Sequence, residues 1–78
     1  MLKTEGCRRL TRVTVLRSEA AAGVVVGRLS AGEIVRVVER SGRWIRIENL
    51  LQQAIVGWTY RRHSEWWPCP GDRQTANV

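Results

Sequence analysis

Seventy-eight residues allow one domain at most, and a chain this short buries only about 60% of the surface its unfolded form exposes, so its core is small. Thirteen Lys+Arg against seven Asp+Glu give a formal charge of +6, and Lys3 is the one lysine. An Arg-dominated surface suits planar, bidentate contacts to phosphate or carboxylate, which keeps nucleic acid, anionic cell-wall polymers and acidic protein surfaces as partner classes beside a plain solvated surface. No segment approaches the length needed to span a membrane as a helix, so no membrane role is expected, and residues 1–7 hold no apolar core of signal-peptide length. The expected location is therefore cytoplasmic if the chain is native full length, and otherwise that of a domain cut from an exported protein.

The chain order begins with residues 1–10, which are polar and without periodicity. They read as a lead-in, with the residues near Leu10 available to join a sheet. Residues 11–17 alternate around Val13 and Val15 and predict a first strand. Residues 18–23 contain Ala20-Ala-Ala22, a run far too short to hold a helix alone, and read as an irregular connection. Residues 24–29 form a second strand, in which Gly27 marks a bulge or a close backbone approach. Ser30-Ala-Gly-Glu33 is a turn with Gly32 at its positive-φ position.

Residues 34–40 predict a third strand with Val35 and Val37 on one face, and Ser41-Gly42-Arg43 a tight hairpin turn. In the fourth strand, 44–48, Ile45 and Ile47 point one way while Trp44 and Arg46 point the other. A loop over 49–54 leads to a fifth strand, 55–60, where Gly57 again hints at a bulge. Trp58 is expected at the core or its edge, because a small domain needs a large apolar filler. After Tyr60 the chain turns basic, then aromatic, then Pro-broken, and its last residues, 72–78, are expected to be disordered. The pattern predicts an all-β fold: a small five- to six-stranded meander curled into a partly open barrel over residues 11–62, with an irregular Trp/Pro-containing tail over 63–78.

The motifs Leu16-Arg-Ser18, Val26-Gly-Arg-Leu-Ser-Ala-Gly-Glu33, Val35-Arg-Val37, Ser41-Gly-Arg-Trp-Ile-Arg-Ile47 and Gly57-Trp58 fall in an order and spacing that resembles bacterial SH3-like (SH3b) domains. The resemblance covers roughly residues 11–60. It departs from the family pattern at Glu19-Ala-Ala-Ala22, in the loop before Gly57, and at Thr59-Tyr-Arg-Arg-His63, where the short closing turn is absent. It implies an SH3-like barrel used as a non-catalytic binding module, with a peptide, a peptidoglycan-type cell-wall ligand or a protein as partner.

Trp44 is the leading contact on this reading, as a platform that stacks on sugar rings, peptide or prolines. The competing reading has it covering the barrel end against Arg36 or Arg46. Tyr60 either lines a groove with Trp44 or closes the barrel. Trp66-Trp67 either fold back over the barrel or make a sticky patch for a partner or a second copy, a homo-oligomer. The ligand-binding set is thus Trp44, Tyr60, Arg36, Arg46 and Trp66. The main competitor is a small basic nucleic-acid-binding barrel using Arg12, Arg17, Arg61 and Arg62, which cluster beside Tyr60 if the first and last strands pair.

No enzyme is expected: His63 is the sole histidine, it has no nucleophile or carboxylate at a persuasive spacing, and the acids are scattered. Cys7 and Cys69 are too few for a zinc site and too far apart in sequence for a redox pair, so no metal or cofactor is implied. Two free thiols and one end-to-end bridge both remain open.

Overall fold

The structure, a computed structural model, describes residues 6–50 and 56–70. It is all-β, with strands β1 (Cys7–Leu10), β2 (Thr14–Glu19), β3 (Ala22–Leu29), β4 (Ile34–Ser41), β5 (Trp44–Asn49), β6 (Val56–Tyr60) and β7 (Ser64–Trp67). A single 3₁₀ turn, Arg61–His63, joins β6 to β7. All seven strands belong to one antiparallel sheet in the order β3-β2-β6-β5-β4-β1-β7, and its outer strands β3 and β7 do not pair with each other.

The sheet curls because its connections are short. β3 and β4 lie four positions apart in the sheet, yet only residues 30–33 join them. A flat sheet would put those strands about 19 Å apart, whereas the five steps from Leu29 to Ile34 reach about 18 Å only when fully extended. The same four-strand separation is bridged by residues 11–13 between β1 and β2, and by the 3₁₀ turn between β6 and β7. Neither of those reaches beyond about 14 Å. Backbone hydrogen bonds clip the crossings together. Leu10 N–H donates to Glu33 O at 2.9 Å, Gly32 N–H to Leu10 O at 2.7 Å, and Thr11 N–H to His63 O at 2.9 Å.

The concave side holds an entirely aliphatic core of Leu10, Leu16, Leu29, Val35, Val37, Ile45 and Ile47. The period-two reading of β4 and β5 holds: Val35, Val37, Ile45 and Ile47 all face inward. Trp58 does not. On β6 the inward positions are Gly57 and Thr59, and Trp58 faces out between its cross-strand partners Arg17 and Arg46. The reason is space. A Cβ on Gly57 would meet Leu16 Cβ at 2.7 Å, Val26 Cγ2 at 3.0 Å and Arg17 O at 3.1 Å. Two strands touch here, and no indole fits.

Four further expectations change. The connection over 18–23 is a two-residue hairpin, Ala20-Ala21, with Ala21 in the left-handed region at φ 65°, rather than an irregular loop. The bulge beside Gly27 is present, with Val26 as the extra residue between the Leu16–Gly27 and Arg17–Val25 pairs, but the β5–β6 ladder runs through Gly57 without a register shift. The sheet is not a simple meander, since β3 and β4 are adjacent in the chain and unpaired. The tail is not irregular over 64–67. There it forms β7, which pairs with β1, itself part of the expected lead-in. The end of the loop after Asn49 and the tail beyond residue 70 lie outside the described residues.

A disulfide between Cys7 and Cys69 fastens β1 to the chain just past β7, closing a loop of 62 residues. Constraining a loop of that length in the unfolded chain is worth about 4 kcal/mol in the chain-entropy account. The Cys7→Ala/Cys69→Ala variant should therefore lose several kcal/mol in denaturant unfolding, with reductant producing a comparable loss in the parent. Gly57→Ala should destabilise by about 1–3 kcal/mol in the same measurement, because the new methyl has backbone and core atoms on three sides.

Candidate functional site

The β4–β5 hairpin turns through Gly42 and Arg43, with Gly42 at φ 60°, and Ser41 pairs with Trp44 across it. Trp44 then sits opposite Tyr60 in the β5–β6 ladder, and directly opposed residues project to the same side of a sheet. Their rings stack at a centroid distance of 4.2 Å and an interplanar angle of 29°. His63 meets Tyr60 edge-on, with ring centroids 5.6 Å apart. Tyr60 remains 39% exposed, so the stack is a surface platform rather than a piece of core.

Two concavities flank Tyr60. One, of about 280 Å³, is lined by Arg12, Val13, Val15, Arg17, Trp44, Thr59, Tyr60 and His63. The other, of about 480 Å³, is lined by Arg40, Gly42, Arg43, Tyr60, Arg61, Arg62 and His63. The sequence-derived basic set Arg12, Arg17, Arg61 and Arg62 thus falls on either side of one tyrosine. The remaining ligand-set residues are distributed differently. Arg46 shares the outward face of β5 with Trp44 and is held by Glu39 at 3.4 Å. Arg36 pairs across the ladder with Glu48, its ion pair there spanning 3.7 Å. Glu48 is four residues along β5 from Trp44, about 13 Å at strand rise, so Arg36 does not reach the platform.

Trp66 lies on β7 opposite Arg8 and is 66% exposed, remote from Trp44 along the sheet order. Trp67 faces the other way, where Arg9, itself paired to Glu65 at 3.1 Å, lies over its ring at 5.1 Å. The two indoles therefore do not fold over the platform. They stand on opposite faces of an edge strand.

Arg40, Arg43 and His63 were not singled out as site residues in the sequence. Arg40 lies near the end of β4 and Arg43 within the two-residue turn that follows, so both sit at one end of the sheet. The missing information was that the 3₁₀ turn docks there: Arg61 N–H donates to Arg43 O at 2.9 Å. Arg8 supports the same corner from the side, donating from Nε to Ser64 Oγ at 2.6 Å and from Nη2 to Ser64 O at 3.0 Å. Burial first, then the charges of Arg61 and Arg40, lower the Arg8 pKa, with Glu65 opposing. Among the described residues there is no group of three or more His, Cys, Asp or Glu able to hold a metal ion.

Compared with family models, curated proteins and solved structures, the chain matches none of them.

Burial and then the positive charges of Arg12 and Arg62 hold His63 below its ordinary value of 6.5. Above 6.5 the imidazole is neutral in both folded and unfolded chains and contributes nothing to the pH dependence. As pH falls below 6.5 the unfolded chain takes up the proton first, so folding stability declines until the folded pKa is passed. A His63→Asn variant should lose less stability than the parent between about pH 7 and about pH 5, measured by denaturant melts at fixed ionic strength.

Proposed function

We propose that this chain is a non-catalytic, SH3-like binding module that holds an extended peptide or cell-wall-type ligand across the Trp44–Tyr60 platform. The observation that carries the proposal is the stacked pair itself. Two aromatic rings stand on the outward face of the sheet, one concavity on either side, while the core is filled without them. A folded domain has no packing need for such an arrangement, and an exposed rigid aromatic surface offers contact area to sugar rings, prolines or peptide groups at small entropic cost.

Two further points support it. The ordered SH3b-like motifs map onto the β2–β3 hairpin and the β4–β5–β6 run, which together curl over one apolar face as a partly open barrel does. The Cys7–Cys69 bridge suits an oxidising compartment, which favours an exported protein as the setting and a cell-surface ligand over a cytoplasmic one.

The arginines around Tyr60 favour a second reading, a single-stranded nucleic acid. Arg12 and Arg17 on one side and Arg61 and Arg62 on the other would attract a phosphate backbone while a base stacks at the platform. The two readings separate on salt: nucleic-acid binding falls steeply as salt rises because counterions are released, and binding to a neutral glycan or peptide does not.

Chemical-shift titration with peptidoglycan fragments, proline-rich peptides and an oligothymidylate, repeated at two salt concentrations, tests both. Saturable shifts centred on Trp44 and Tyr60 are expected. Trp44→Ala should retain the fold, since the ring is outside the core, and should weaken binding roughly tenfold or more, about 1.4 kcal/mol. A folded Trp44→Ala protein that binds each probe as well as the parent would overturn the proposal.

A further inference from the structure

The larger concavity, at the corner where the β4–β5 turn meets the 3₁₀ turn, brings four guanidinium side chains to one place. Arg40 and Arg43 come from one rim, and Arg61 and Arg62 from the other. Among the described residues no carboxylate lines it. The ion pairs among the described residues all lie elsewhere: Arg9 with Glu65, Arg36 with Glu48 and Arg46 with Glu39. Those three glutamates thus neutralise arginines outside the corner, and within the described residues the arginines inside have no ionic partner. A like-charged cluster repels itself and weakens the compact state, so its natural complement is an anion.

The corner is also held in shape. The turn and the 3₁₀ segment are tied by the Arg61 N–H to Arg43 O bond at 2.9 Å. Ser64 Oγ donates to Arg61 O at 2.8 Å and in turn accepts from Arg8 Nε at 2.6 Å. The backbone that carries Arg43 and Arg61 is therefore fixed before any ligand arrives, which reduces the ordering cost of binding. The Arg8 pKa is lowered first by burial and then by the charges of Arg61 and Arg40, so positive charge from this corner is felt at its neighbour.

We infer that this corner is a binding site for an oligophosphate group, with Arg40 and Arg43 taking the oxygens of one phosphate and Arg61 and Arg62 those of the next. Planar guanidinium forks match phosphate oxygens bidentately. Four cations on two rims call for more charge than one carboxylate carries. The cavity of about 480 Å³ lies within the range of about 300–1,000 Å³ usual for ligand pockets, with room for more than a single phosphate. Tyr60 and His63 also line the site. Trp44 does not line this site, so the inference goes beyond the platform reading and stands or falls separately from it.

The test is calorimetric and NMR titration of the oxidised protein with inorganic phosphate, pyrophosphate, tripolyphosphate and citrate, with ionic strength held constant by sodium chloride. Saturable binding of pyrophosphate and tripolyphosphate, tighter than that of phosphate or citrate, is expected, with the Arg43, Arg61 and His63 resonances moving. Arg43→Gln and Arg61→Gln should each weaken tripolyphosphate binding about tenfold or more. Arg36→Gln removes the same charge from a paired position elsewhere and should change it less than about twofold, well under one charge-assisted hydrogen bond. Arg40→Gln serves as the third cleft variant should either of the others fail to fold by its amide spectrum. Non-saturable shifts, citrate binding as tight as tripolyphosphate, or an Arg36→Gln loss equal to that of Arg43→Gln would each overturn the inference.

Discussion

Leu29 and Ile34 are five residues apart in the chain and four strands apart in the sheet, and that mismatch governs the rest of the molecule. Three separate connections impose it, and each is too short to cross a flat sheet. Curvature is thus a covalent requirement, not a preference of twist alone. The core on the concave face of the curled sheet is built from Leu, Val and Ile. A Cβ added at Gly57 would meet Leu16 Cβ at 2.7 Å and Val26 Cγ2 at 3.0 Å, a sign of how closely β6 is approached there.

An aliphatic interior leaves the aromatic residues on the outside. Trp44, Trp58, Tyr60, Trp66 and Trp67 are all half-buried or exposed. The curl also decides which of them meet. The crossing from β6 to β7 ends the platform strand beside the β4–β5 turn, so Tyr60, Arg61 and Arg62 share a corner with Arg40 and Arg43. The charge pattern follows the same division. Arg36 and Arg46 find glutamates across the ladder, whereas no carboxylate among the described residues lines the corner that holds Arg40, Arg43, Arg61 and Arg62.

Local pattern made much of the fold legible. Alternation in β4 and β5 placed four core residues correctly, and the Ser41-Gly42 and Gly32 turns were readable from residue type alone. Tyr60 beside Trp44 was one of two readings the residues left open, and the β5–β6 register with the ring stack is what brings the two together. What was not legible is non-local. β1 and β7 have little periodicity of their own, since Cys7-Arg-Arg-Leu10 and Ser64-Glu-Trp-Trp67 become strands by pairing with each other across most of the chain length. Trp58 misled because its size argued for the core, while the determining fact was the neighbour before it: Gly57 took the inward position that Leu16 leaves too small for anything else. Arg40 was visible as a strand end and Arg43 as a turn residue, but not as companions of Arg61 and Arg62, because nothing near them in sequence announces where the 3₁₀ turn lands.

The bridge between Cys7 and Cys69 has a geometric consequence beyond its contribution to stability. Their Cα atoms are 5.2 Å apart, so the chain enters and leaves the folded sheet through essentially one point. A unit with adjoining entry and exit can be spliced into a surface loop of a host protein without forcing that loop's ends apart. It would then hang from the host like a pendant on a single ring, and the bridge would keep that ring shut against a pull on either end.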